Sequence, residues 1–134
     1  MKGHARQLMT THYNVAFPSL TIANAAREFA QVESSAFPVV DEDEKVIGMV
    51  TETDVLAALL RVVPVSTPIS AIMKSSVITV DEFTPADTVI RLMQEEEVHH
   101  LPVTRKGMVV GMITPLEVIR YFVNHQLPPP PEVA

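Results

Sequence analysis

The chain carries its own sequence twice. Moving residues 9–40 forward by 64 places Met9 on Met73, Arg27 on Arg91, Glu33 on Glu97, Pro38 on Pro102 and Val39 on Val103. One residue is dropped in the turn that follows. At the new offset of 63, Val46, Gly48, Met49, Thr51 and Val55 fall on Val109, Gly111, Met112, Thr114 and Val118. The order of the matches holds across the whole unit. Two copies of one supersecondary unit bury their open faces against each other. A cleft between the copies follows, and that cleft is where function is expected.

The duplication divides the chain. Residues 1–61 hold the first repeat with an N-terminal segment, and 62–72 form a linker containing Pro64 and Pro68. Residues 73–124 hold the second repeat, and 125–134 form a Pro-rich tail. A chain of 134 residues buries roughly two-thirds of its unfolded surface. It therefore needs no disulfide or structural metal. It has no cysteine, which removes thiol catalysis and Cys metal sites and suits a reducing cytoplasm. No apolar run reaches the length of a membrane span. The first residues lead into no signal-peptide core. A cytoplasmic location is expected, without a membrane partner.

Sixteen acids against ten Lys and Arg give a net charge of -6. The cations are scattered, so the basic patch of a nucleic-acid binder is missing. The four glycines, at 3, 48, 107 and 111, build no phosphate loop or dinucleotide fingerprint. A small anionic ligand remains compatible, because a few local cations outweigh a weak net field.

Each copy reads as β-α-β-β-α, giving a mixed α/β (α+β) fold. In the first copy Asn14–Phe17 is a brief strand. Ser19 or Thr21 caps a helix whose apolar positions Ile22, Ala25, Ala26 and Phe29 recur at helical spacing. Phe37–Val40 and Val46–Val50 form a hairpin through the charged turn Asp41–Lys45, with Pro38 expected at a strand start or edge. A helix follows from about Glu52 to Arg61. In the second copy Val77–Val80 is the first strand. Thr84, Pro85 and Asp87 read as cap, first-turn proline and N-terminal acid. Leu101–Thr104 and Val109–Ile113 make the hairpin, and a helix starts at Thr114–Glu117. The final prolines, Pro128–Pro131, cannot continue a helix and are expected to be extended.

This arrangement resembles a tandem pair of cystathionine-β-synthase (CBS) domains, a Bateman module. The residues that carry the resemblance stand in order in both copies. They are Leu8-Met9 and Ile72-Met73, then Phe37-Pro-Val-Val-Asp41 and His100-Leu-Pro-Val103, then Gly48-Met-Val-Thr-Glu-Thr-Asp54 and Gly111-Met-Ile-Thr-Pro-Leu-Glu117. The match covers nearly all of residues 5–124. The resemblance implies two three-stranded sheets packed face to face with pseudo-two-fold symmetry, helices outside and two related clefts. It implies a regulatory binding module and not an enzyme. The implied ligands are adenine nucleotides (AMP, ADP or ATP), with S-adenosylmethionine as a further candidate.

The resemblance also distributes roles. Thr51 and Asp54 hold the ribose, an acceptor-only carboxylate facing two hydroxyl donors. Ile78 and Thr79 on the first strand of the other copy flank adenine. His99 and His100, ahead of Leu101 and Pro102, approach the phosphates with help from Lys74. Thr51-x-x-Asp54 and Thr114-x-x-Glu117 equally fit capping boxes, and Glu117 suits that role better than ribose binding. The opposite cleft combines Glu117 and Thr114 with Thr10, Val15, Ser35 and Ala36. No cation stands at Ser35 or Ala36, so that cleft is expected to be the poorer one for a phosphorylated ligand. Glu95–Glu97 point in different directions on a helix and do not converge on a metal. His99 and His100 lack an obvious third ligand for zinc.

Two other functions compete. One is a ligand-independent dimerisation or scaffold module with vestigial clefts. The other is an enzyme using a His/Glu pair, for which no nucleophile–base constellation emerges. The apolar second helices, Val55–Leu60 and Val118–Val123, predict a homodimer. With no effector domain evident, the output is expected to pass to another protein.

Overall fold

The structure is a computed structural model that describes residues 2–131. Met1 and Glu132–Ala134, the end of the expected tail, lie outside the described residues. Among them, no helix is long and apolar enough to cross a membrane. The elements in order are α1 (Ala5–Leu8), α2 (Ile22–Gln31), β1 (Ala36–Val40), β2 (Val46–Thr51) and α3 (Glu52–Leu60). A 3-10 turn (Ile69–Ala71) leads to β3 (Val80–Asp81), α4 (Ala86–Glu95), β4 (Leu101–Arg105), β5 (Met108–Ile113) and α5 (Pro115–His125).

The hairpins form over the segments expected for them. β1 and β2 pair antiparallel in one sheet, and β3-β4-β5 make the other. The charged turn is held by Asp41, whose Oδ1 accepts the amides of Asp43 at 2.9 Å and Lys45 at 3.0 Å. The first strands are shorter than expected. Asn14–Phe17 contributes a single bridge: Ala16 N–H donates to Pro38 O, and Val40 N–H to Ala16 O, both at 2.9 Å. The reason lies two residues on. In the second copy Glu82 N–H donates to Thr104 O at 2.9 Å, but its counterpart is Pro18, which has no N–H to give. The second strand also shifts, from 77–80 to Val80–Asp81, because Ile78 and Thr79 are exposed. One sheet is thus two-stranded and the other three-stranded. Pro38 lies third of five in β1, not at its start. Its carbonyl opens the parallel ladder, so its missing N–H falls before any partner is needed.

Two cores stand side by side. The first gathers Ile22, Phe37, Val39 and Val50, with Phe29 stacked on Phe37 at 4.2 Å between centroids. The second gathers Val80, Val89, Leu101, Val103 and Ile113. Each core is completed by the segment that leads the other copy. Ala5 and Leu8 of α1 enter the second core, whereas Ile69 enters the first. The backbone repeats this exchange. Lys74 and Met49 trade two hydrogen bonds of 2.9 Å, and Thr10 and Met112 trade bonds of 2.9 and 3.0 Å. Such close approach explains two glycines. A Cβ on Gly48 would stand 2.5 Å from Met73 Sδ and 3.0 Å from Lys74 O, and one on Gly111 would overlap Met9.

The helix starts partly follow expectation. Thr21 caps α2, its hydroxyl accepting Asn24 N–H at 3.1 Å. Thr84 does not cap α4. Pro85 occupies the cap position without a side-chain bond, and Gly3 O accepts the Ala86 amide at 3.0 Å instead. The N-terminal segment thereby serves as the cap. Nearby, buried Glu82 is forked by Arg105 through Nε and, at 3.0 Å, Nη2. That guanidinium holds the Glu82 carboxyl below the usual range. Pro128–Pro131 are exposed and non-helical.

Candidate functional site

Where the copies meet, Ala36, Met49 and Met112 form a small third cluster flanked by Tyr13 and Val77. A cavity opens on each side of it. The first, about 360 Å³, is walled by Thr51, Glu52 and Thr53 at the β2–α3 junction. Lys74, Ser76, Val77 and Ile78 line it from the linker side, with Glu97, His99 and His100 at the end of α4. The second, about 640 Å³, is walled by Thr114, Leu116, Glu117 and Arg120 around the start of α5. Thr10, His12 and Tyr13 line it from the N-terminal segment, with Glu33, Ser35 and Ala36 at the end of α2. His99 and His100 line this cavity as well.

The two walls use corresponding positions of the duplicated sequence: Thr51 with Thr114, Lys74 with Thr10, and His99 and His100 with Ser35 and Ala36. At the seam His100 Nε2 stands 2.6 Å from Ser35 Oγ. Burial is the main cause that pushes the His100 imidazolium below its ordinary pKa; His99 and Lys74 add to it, and Glu52 opposes them. This burial favours the neutral ring, in which one nitrogen donates and the other accepts. Burial also raises the Tyr13 pKa, with Glu44 second. Among the described residues no three His, Cys, Asp or Glu side chains are grouped to hold a metal ion.

The CBS-domain family model matches residues 5–61 and 69–124. The chain is a tandem pair of CBS domains. YlbB of Bacillus subtilis is 31% identical over 81% of the chain and 75% of its own length. A putative acetoin utilization protein (AcuB) from Vibrio cholerae has a TM-score of 0.84 at 25% identity, covering 92% of this chain and 93% of its own. The CBS domain pair of protein MJ0100, solved with 5-methylthioadenosine and S-adenosyl-L-methionine, has a TM-score of 0.81 at 26% identity, covering 94% of this chain and all of that one.

In this CBS pair Thr51, Lys74, Ile78, His99 and His100 all line the first cavity. Asp54, Thr79 and Pro102 are not in its wall. Asp54 Oδ2 accepts Thr51 N–H at 2.9 Å and Asp54 N–H donates to Thr51 Oγ1 at 3.2 Å, a reciprocal capping box. Thr79 is exposed outside any strand, and Pro102 is buried in β4. In the second cavity Thr10, Ser35, Ala36, Thr114 and Glu117 are present, and Val15 is not.

The capping assignment is reversed between the copies. Thr114 makes no side-chain cap; its hydroxyl donates to Glu117 Oε1 at 3.1 Å, and this nearly buried carboxylate lines the cavity. The shorter Asp folds back onto its own helix start, whereas the longer Glu reaches outward. The segment 10–16 expected in the second cleft contributes His12 and Tyr13 as well as Thr10. Sequence reasoning missed Glu52, Thr53 and Ser76 in one wall and Glu33 and Arg120 in the other. One signal was available: Arg120 stands one helical turn beyond Glu117 on the same face. Arg120 supplies a cation that positions 35 and 36 lack, and His99 and His100 add imidazole donors.

Proposed function

We propose that this CBS pair is a regulatory module that binds an adenosine-containing ligand between its repeats, with phosphate oxygens held by His99 and His100 at the seam. The observation that carries this is the placement of an imidazole pair between two cavities, each with its own flanking cation, Lys74 or Arg120. The ligands named for the MJ0100 CBS pair support the adenosine class. The phosphate follows from the cations here, and AMP is the simplest ligand that has both parts. No catalytic step is assigned to either cavity.

The test is calorimetric titration of the chain with AMP and with adenosine. AMP should bind more tightly, because a charge-assisted hydrogen bond contributes about 1.5–3 kcal/mol, or roughly tenfold to a hundredfold. Equal affinities would remove the phosphate role, and no binding of either would remove the sensor.

The scaffold alternative has its own support. Leu56, Leu59 and Leu60 on α3 and Ile119 and Val123 on α5 are all more than two-fifths exposed. Apolar area exposed on both second helices fits a homodimer interface. Sedimentation at micromolar protein should give twice the chain mass. A monomer throughout would sink this claim and leave nucleotide binding untouched.

A further inference from the structure

One polar contact separates the cavities. Ser35, His99 and His100 line both, and the Ser35–His100 contact of 2.6 Å is part of the wall between them. Both imidazoles come from the second copy, since the corresponding residues of the first are Ser35 and Ala36. Lys74, in contrast, belongs to the first cavity alone and Arg120 to the second. Each cavity thus has a private cation and a share in one imidazole pair.

We propose that the two cavities antagonise each other toward anions: a phosphorylated ligand in one weakens a second phosphorylated ligand in the other, whereas an uncharged nucleoside there escapes the penalty. This rests on the ligand class proposed above and adds the coupling between its two places. The chemistry is that of a shared donor. His100 has two ring nitrogens, and Nε2 is engaged by Ser35, which leaves Nδ1 for a ligand. When Nε2 is bare, the Ser35 hydroxyl donates to it. An anion that takes Nδ1–H from one cavity leaves no second His100 proton for an anion in the other, because Nε2 stays engaged with Ser35.

Direct repulsion acts in the same direction, because two anions across a partly buried wall are poorly screened. The fixed charges around His100 do not cancel it. Glu52 favours the imidazolium, while His99 and Lys74 oppose it. Across the second cavity Glu33 and Glu117 add negative charge against Arg120.

The test reads each cavity separately. Methionine ε-methyl NMR serves, because Met49 lines only the first cavity and Met112 only the second. The full chain is titrated with AMP and with adenosine, as wild type and as the exposed-site variants Lys74→Ala and Arg120→Ala. Weakening the cavity that fills first should let the other fill at lower AMP concentration than in wild type, by roughly fivefold or more, the low end of usual binding couplings. Adenosine should show no such gain. Ser35→Ala should shrink the effect and Ser35→Thr should keep it. If Ser35→Ala does not fold, the surface variants still decide. An unchanged AMP constant in the second-filling cavity means independent sites and overturns the proposal. One AMP bound with adenosine still entering the other cavity supports it; one AMP with adenosine excluded overturns it. A chain that binds neither AMP nor adenosine fails at the ligand class instead, and the coupling falls with it.

Discussion

The two cavities occupy equivalent positions of a duplicated sequence and differ in size, charge and wall chemistry. The first is small, with Lys74 at its rim and a wall helix whose acid, Asp54, is turned inward on its own cap. The second is nearly twice as large, with Glu117 and Arg120 one turn apart on α5. One methylene separates Asp54 from Glu117, and that difference decides whether the carboxylate closes a helix start or lines a cavity. Duplication repeats the hairpin and the helix that follows it in each copy; the ligand-facing chemistry diverges through single side chains. The imidazole pair belongs to neither side of this comparison, because it stands between them.

The largest expected effect tests that last point. His99→Gln/His100→Gln should weaken AMP in both cavities by roughly tenfold to a hundredfold and leave adenosine nearly unchanged. Loss in only one cavity would mean the pair serves one side. Next come the private cations. Lys74→Ala should weaken AMP in the first cavity and Arg120→Ala in the second, each by about tenfold, the low end of one charge-assisted contact; a titration resolved by the Met49 and Met112 methyls separates the two.

The carboxylates sharpen the comparison further. Asp54→Ala should cost on the order of 1 kcal/mol of stability through the lost capping box, read by urea denaturation, with little change in AMP affinity. Glu117→Ala should strengthen AMP in the second cavity, because it removes negative charge from the wall. A large affinity loss in Asp54→Ala, with unchanged stability, would restore the ribose role implied by the family pattern.

The smallest effect is in pH. The folded pKa of His100 lies below its ordinary value of about 6.5, so the unfolded chain binds the proton more readily. Stability should therefore fall as pH drops from about 6.5 through the folded pKa. His100→Gln should flatten that limb of the thermal-melting profile. Affinity for AMP should fall as pH rises through the window between the free and bound histidine pKa values. The comparison belongs above about pH 6.5, where the phosphate's own ionisation near 6 is nearly complete. Parallel profiles for wild type and variant would show that His100 does not titrate with either event.

The fold was legible in the sequence because its signals are local and come twice. The apolar runs Val46–Val50 and Val109–Ile113 and the helical spacing in Ile22–Phe29 each predict an element that the structure contains. The first strands were less legible. Pro18 ends one of them by lacking an N–H, and that depends on a partner, Thr104 in the second copy, that periodicity does not reveal. The caps behaved likewise. Thr84 carries the right side chain, but the Gly3 carbonyl arrives from 80 residues away and takes the amide. At the site, five first-cavity residues were visible through the repeat and the family pattern. The direction of the Asp54 and Glu117 carboxylates, and the sharing of Ser35, His99 and His100 between walls, are properties of three-dimensional reach.

The exchange of leading segments has a consequence for the molecule as a whole. Residues 5–10 complete the core and sheet of the second copy, and residues 69–74 complete those of the first. Neither repeat carries its own lid. The halves are related as two subunits that have traded arms and were then joined end to end, so a break anywhere in 62–68 leaves each fragment holding the piece the other lacks. Each cavity is likewise bounded by residues from both halves, so neither half holds a whole site by itself.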